Sequence, residues 1–194
     1  MTNITRLKSR LHLYGGPAKT NRYEIELPFI NGAINRLVND QGPAGFEDPW
    51  VNGESLSLFC RAANLPGRQI LSQERIIMGN QEKIAYGYGS EDVSLTFMDR
   101  DDHPIRKYFQ LWQELAFDLS DDNTTYHKPN FADTYQKSVK IYQLDKNDER
   151  KFGVELQKAY PTTLGGVAFS AAAESSVVEY NVELSYKKWF QIKT

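Results

Sequence analysis

"VVEYNVELSYKKWF", residues 177–190, repeats with a period of two. Val178, Tyr180, Val182, Leu184 and Tyr186 fall on one side, and Glu179, Asn181, Glu183, Ser185 and Lys187 on the other, the pattern of a half-buried β-strand. The same period runs through "RYEIELPF" (22–29), where Tyr23, Ile25, Leu27 and Phe29 oppose Arg22, Glu24 and Glu26. It recurs in "SLSLFCRA" (55–62), with Leu56, Leu58 and Cys60 on one face, and in "VSLTFM" (93–98), with Val93, Leu95 and Phe97 inward. "ERIIM" and "EKIAYGY" are separated by "GNQ" and predict a hairpin. "SVKIYQL" and "RKFGVELQ" flank the turn "DKNDER", and "AYPTTLGG" leads into the final strand.

One segment breaks this pattern. "HPIRKYFQLWQELAFDL" sets Ile105, Tyr108, Phe109, Trp112, Leu115, Ala116 and Leu119 at helical spacing, with Asp101 and Asp102 before Pro104 as start signals. Strands, one helix, then strands again, without βαβ alternation or an internal repeat, predict an α+β fold: an antiparallel β-sandwich or barrel with one packed α-helix. Residues 1–20 are expected to form an N-terminal arm and 21–194 the β domain, with the polar Gly/Pro-rich stretch at 30–53 as a long loop.

Composition narrows the function. A chain of 194 residues, 40% hydrophobic and 25% charged, can bury a sizeable core as one domain. No apolar run approaches the roughly 18 residues a membrane helix needs, and Arg6, Lys8, Ser9, Arg10 and His12 interrupt any secretory signal, so synthesis and folding in the cytoplasm are expected. The lone Cys60 excludes an internal disulfide and reads as a small apolar filler. Net charge is −2, and no Lys/Arg run exceeds the pair Lys187 and Lys188, which disfavours tight binding to nucleic acid.

Candidates for chemistry are weak. "YGGPAKT" (14–20) lacks the glycines of a phosphate loop, with Ala18 before the lysine and Leu13 upstream, and reads as a loop or arm. Asp99, Asp101 and Asp102 in "MDRDDH" could ligate Mg²⁺, or could satisfy the free N–H groups at a helix start; a metal site would want further oxygen ligands, and none can be nominated. His12, His103 and His127 have no zinc-ligand spacing, and Asp121 with Asp122 read as a solvated pair. No G-x-S-x-G elbow occurs. No catalytic, cofactor-binding or metal-binding residue is assigned, and no enzymatic activity is expected.

Three blocks in order, "LSLFCRAANLPGRQI" (56–70), "AYGYGSEDVSLTFMDRDDHPIRKYFQLWQEL" (85–115) and "AYPTTLGGVAFSAAAESSVVEYNVELSYKKWF" (159–190), resemble the tail-tube proteins of contractile-tailed bacteriophages. The resemblance rests on a strand entering a small-residue and Leu-Pro turn (Ala62, Ala63, Leu65, Pro66, Gly67) and on a short helix with a central Trp112. It also rests on the segment Tyr160, Pro161, Thr162 ahead of a long final strand ending in Tyr186 and Trp189. It covers about residues 20 to 190 and implies a structural virion protein. Copies would form hexameric rings that stack into a tail tube, with sheath and baseplate proteins as partners. DNA would pass through the lumen without specific binding, and no membrane would be involved. The virion tail would be the location, assembled in the host cytoplasm. The arm and the 30–53 loop leave room for a baseplate tube-initiator of the same fold. The tube of a protein-injecting particle, and from another class a small-ligand β-barrel, also stay open. Subunit contacts are expected at Leu65, Pro66 and Gly67 and in the hairpin arm at Tyr86, Gly87 and Tyr88. Both tyrosines should be partly exposed in the free subunit.

Overall fold

The computed structural model describes residues 3–13, 16–30, 56–101, 103–117, 129–167, 169 and 177–193. In chain order these form α1 (Asn3–Leu13), β1 (Tyr23–Glu26), β2 (Cys60–Ala63), β3 (Gln69–Ile77), β4 (Asn80–Gly89) and β5 (Val93–Met98). There follow α2 (Pro104–Glu114), α3 (Ala132–Tyr135), β6 (Lys137–Leu144), β7 (Arg150–Leu164), β8 (Glu179–Ser185) and β9 (Lys188–Ile192). Seven strands make one antiparallel sheet in the order β1-β6-β7-β8-β5-β2, with β9 also paired to β7, while β3 and β4 form a separate two-stranded sheet.

β7 organises this sheet. Its partners stay in one register from Gly153↔Ile192 to Pro161↔Leu184, so β8 and β9 lie along it as a single strand interrupted at Tyr186 and Lys187. Lys187 N–H bridges the interruption by donating to Gln157 O at 3.1 Å. Opposite it, Lys158 takes a φ of 56°, and the β6 pairing shifts between Lys137 and Val139. This β-bulge changes the parity of the strand: Val154 and Leu156 point inward before it, Ala159 and Pro161 after it, and Gln157 and Lys158 are both exposed. A second irregularity follows between Pro161 and Thr163, where Pro161 has no N–H to give to the ladder.

The inward faces and α2 enclose the core. Ile105, Tyr108, Phe109 and Trp112 of α2 are buried against Leu95, Phe97, Tyr180, Val182 and Leu184. Phe97 and Phe109 lie 5.2 Å apart between ring centroids, and Phe109 and Trp112 stack at 6.3 Å. Two of the large aromatics satisfy their polar tips: Trp112 Nε1 donates to Tyr135 O at 2.7 Å, and Tyr108 Oη to Pro28 O at 2.6 Å, whereas the buried Tyr180 Oη has no partner among the described residues. Burial pushes the Tyr108 hydroxyl well above its ordinary pKa.

The helix begins differently from expectation. Asp99, not Asp101, receives it: the Asp99 carboxylate accepts from the backbone N–H of Arg100 at 3.0 Å and of Ile105 at 3.4 Å, and meets His103 Nδ1 at 3.0 Å. His103 turns the chain in the left-handed region, φ 52°, and Pro104 opens the helix. α2 ends at Glu114, so Leu115 and Ala116 lie in the following turn; Leu119, Asp102, Asp121, Asp122 and His127 fall outside the described residues.

Several boundaries are corrected. β1 stops at Glu26, ahead of Pro28, and Phe29 is exposed. Leu56 is buried from a short helical turn rather than from a strand, which leaves Leu58 pointing to solvent. The hairpin turn is Met78–Gly79, shorter than the expected Gly-Asn-Gln, with φ of 49° and 83° closing Ile77 onto Asn80. Positive φ at both positions is the turn geometry that matches strand twist. The arm contains an α-helix, α1, that strand-and-helix periodicity passed over. The sheet is not a closed barrel: its end strands β1 and β2 do not pair, although Tyr23 Oη donates to Cys60 O at 2.9 Å. Burial pushes the Cys60 thiol up to about 12, consistent with a filler role. Most of the expected 30–53 loop lies outside the described residues.

Among the described residues Trp112 is the largest side chain fully withdrawn from water. Trp112→Ala is expected to cost about 3–5 kcal/mol, read as a lower midpoint in urea unfolding; an unchanged midpoint would mean that α2 is not packed as described.

Candidate assembly surface

The hairpin β3–β4 stands apart from the main sheet. Its strands pair from Gln69↔Gly89 to Ile77↔Asn80, with an irregularity after Leu71 that leaves Tyr86 as the extra residue. Almost all of β4 is exposed. Tyr86 is 66% and Tyr88 60% exposed, as expected for both, and Ile70, Ile76 and Met78 are also open to solvent. An exposed apolar patch on one element, with polar Glu74, Gln81 and Lys83 among it, is the composition of a surface that meets another protein.

Among the described residues nothing requires glycine at Gly87 or Gly89. Neither has a positive φ; a Cβ at Gly87 would meet Leu71 Cδ1 at 3.9 Å, an ordinary contact, and one at Gly89 would meet nothing. Leu65 and Gly67 are exposed and Pro66 is half-buried, so the Leu-Pro turn lies at the surface where the hairpin departs.

A cation fixes the hairpin to the domain. The Arg68 guanidinium lies 4.6 Å from the Trp189 ring centroid and 6.0 Å from that of Tyr88, between β9 and β4. The Tyr86–Tyr88 alternation marked the outer part of this region in the sequence, but Arg68 carried no signal, because its aromatic partner is about 120 residues away. A cleft of about 300 Å³ opens there, lined by Arg68, Tyr88, Lys188 and Trp189 among others. Lys158 joins Lys187 and Lys188 at an adjoining cleft. Cations scattered in sequence therefore gather at the β8–β9 break, a local basic patch that run length alone did not show.

The sheet edges complete the surface. Among the described residues β1 and β2 each pair on one side only, and β9 pairs only with β7. On the outer face of β1, β6 and β7, Arg150 bonds both Glu24 (2.8 Å) and Glu26 (2.7 Å) and lies over Tyr142 at 4.1 Å. Its hydrogen bond to Glu24, with the nearby Glu26, holds the guanidinium even more firmly protonated than usual. On the outer face of β5 and β8, Ser94 Oγ donates to Asn181 Oδ1 at 2.7 Å, and Arg61 pairs with Glu179. No three His, Cys, Asp or Glu side chains converge as a metal site among the described residues.

The described residues thus form an antiparallel sheet with a covering helix, strands that pair on one side only and a projecting hairpin. The chain belongs to the phage tail tube protein family, which it matches over residues 18–192. Solved structures of the same fold include the sheath/tube terminator of an extracellular contractile injection system, PVC, in the extended state. That match has 11% identity and a TM-score of 0.56 and covers 91% of this chain and 96% of that one. The tube-terminating cap of the anti-feeding prophage matches at 13% identity and TM-score 0.58, covering 92% of each chain. A chain of the PVC sheath–tube complex matches at 12% identity and TM-score 0.56 over 100% of both. No curated protein matches significantly.

Tyr86→Ser with Tyr88→Ser is expected to leave the circular dichroism spectrum intact, because the core around Trp112 is separate. In sedimentation velocity the same variant should weaken assembly by about 2–4 kcal/mol per subunit, the scale of interfacial aromatic hot spots. Undiminished assembly would show that the hairpin is not the contact.

Proposed function

We propose that copies of this chain join sheet edge to sheet edge into rings, six-membered as the resemblance implies, and that the rings stack into the inner tube of a contractile tail. The observation that carries this reading is the sheet left open at its edges beside a hairpin whose aromatics are exposed. Unpaired edges are a hazard to a free monomer, yet the same edges let one subunit's sheet continue into the next, and a head-to-tail stack of rings extends along an axis.

In this reading DNA passes along the outer face of β5 and β8. That face presents Ser94, Thr96, Asn181 and Glu183, and Arg61, a cation that reaches it, is held by Glu179. A wall of this chemistry offers phosphates little to bind. Sheath and baseplate proteins are the proposed partners and the virion tail the proposed location. No helix among the described residues is long and apolar enough to cross a membrane. Hydrolytic or transfer chemistry is not proposed for any residue.

A second reading, a subunit that begins or ends the tube, is favoured by the N-terminal arm, whose first 17 residues lie outside the family match. An injection particle built on the same fold would carry protein in place of DNA through the same bore. A ligand-binding barrel is not supported, because the sheet is open and Trp112, Phe97, Phe109 and Tyr180 fill the space beneath α2.

Negative-stain microscopy of the purified chain is expected to show rings with a central hole, or stacked tubes; particles that remain monomeric at high micromolar concentration would count against the proposal. In gel shift at roughly 150 mM salt, double-stranded DNA is expected to bind no more tightly than ~10⁻⁶ M, the range of nonspecific binding. A complex at submicromolar protein would contradict the conduit.

A further inference from the structure

α1 reads NITRLKSRLHL. Ile4, Leu7 and Leu11 fall at i, i+3 and i+7, one apolar stripe, while Arg6, Lys8, Arg10 and His12 occupy the other positions. Every residue of the helix is exposed, Ile4 at 65% and Leu7 at 60%. A helix of this length is marginal without a partner, since isolated helices below about 12–15 residues scarcely persist in water. Among the described residues its stripe therefore meets no surface that would stabilise it.

Charge identifies that surface. Residues 1–20 hold four of the chain's 23 Lys and Arg residues and none of its 25 acids, which leaves 19 cations against 25 acids in residues 21–194. The arm is cationic and the domain anionic. Position agrees with charge. Gly16 stops the helix, its φ at 97° and its N–H donating to Leu11 O at 2.7 Å. Arg22 then ties the root of the arm to the β6–β7 turn through Asp145 O, Lys146 O and Asp148. That root enters β1, an end strand of the sheet, so the arm leaves the domain at the edge where a neighbouring sheet would begin. The seven residues from Gly16 to Arg22 span up to roughly 24 Å when extended, and the helix adds about 16 Å, enough to cross onto an adjacent subunit.

We propose that α1 is an intersubunit clasp, laying its Ile4–Leu7–Leu11 stripe on the acidic domain of a neighbouring copy of this chain. The proposal rests on the ring reading above. An anionic lipid surface, the other common partner of a basic amphipathic helix, would repel the same acidic domain that attracts the arm.

The test uses the full chain. Assemblies made from equal parts ¹⁴N- and ¹⁵N-labelled chains are treated with a zero-length carbodiimide cross-linker. Lys8 is expected to join Asp or Glu residues of the opposite isotope in about half of its cross-links, as random mixing of docked neighbours requires. Leu7→Asp with Leu11→Asp should raise the assembly midpoint in sedimentation velocity by about tenfold or more while the β signal in circular dichroism is kept. Arg6→Glu with Arg10→Glu should do the same, and Arg6→Lys with Arg10→Lys should not. Cross-links confined to one isotope would mean that the helix folds back on its own domain and would overturn the clasp. So would stripe variants that assemble normally, or flotation of the wild type with phosphatidylcholine–phosphatidylglycerol vesicles that the stripe variant loses without any change in assembly. Rings that form regardless of the stripe sink the clasp alone; a wild type that forms none sinks the ring reading with it.

Discussion

The structure depends on β7 serving two neighbourhoods at once. Its first ten residues pair with β6 and β9, its last five with β8, and the single register shared with the β8–β9 segment keeps both ends in one sheet. A straight strand could not turn its inward face through that change. The bulge at Gln157 and Lys158 does so by spending two exposed residues in succession, which brings Ala159 and Pro161 to the core where strict alternation would have brought Tyr160 and Thr162. The inner side of this bent sheet is the floor on which α2 lies.

The environment at Gly153 shows how closely the first part of β7 is packed. A Cβ there would stand 2.7 Å from the Tyr142 ring, which in turn carries the Arg150 guanidinium on its face. The backbone, the ring and the cation form three layers, with Glu24 and Glu26 gripping the outermost. Exposed ion pairs alone contribute little; here they hold a guanidinium against a ring whose other face needs a glycine.

Much of this was legible because one face of the sheet is buried. Tyr180, Val182 and Leu184 lie inward as their period required, as do Val93, Leu95 and Phe97, and the α2 stripe packs as its spacing predicted. The family and its fold followed from blocks that contain these elements. What was missed came from places where a period is not written in one stretch. β7 was cut short at Gln157 because the bulge interrupts alternation there, and β1 was overextended because Leu27, though buried, lies past the last paired residue. Asp99 was outranked as a helix-start residue by nearer acids, since its reach to Ile105 depends on the left-handed turn at His103. In the assembly surface the tyrosines were readable as an alternation of aromatic and small residues. The Arg68–Trp189 contact and the basic patch exist only once distant segments meet.

The place of β8 in the sheet has a consequence for biosynthesis. It is the middle strand, with β7 on one side and β5 on the other, yet among these elements it is translated after both. Until the ribosome has delivered it, β2 with β5 and β1 with β6 and β7 are two half-sheets with no strand to join them. A nascent chain of this kind holds back the pairing that joins its two half-sheets to the end, which slows folding and exposes apolar surface to chaperones. It also orders events in time, because the outer edges become edges of a finished sheet only after its centre is in place.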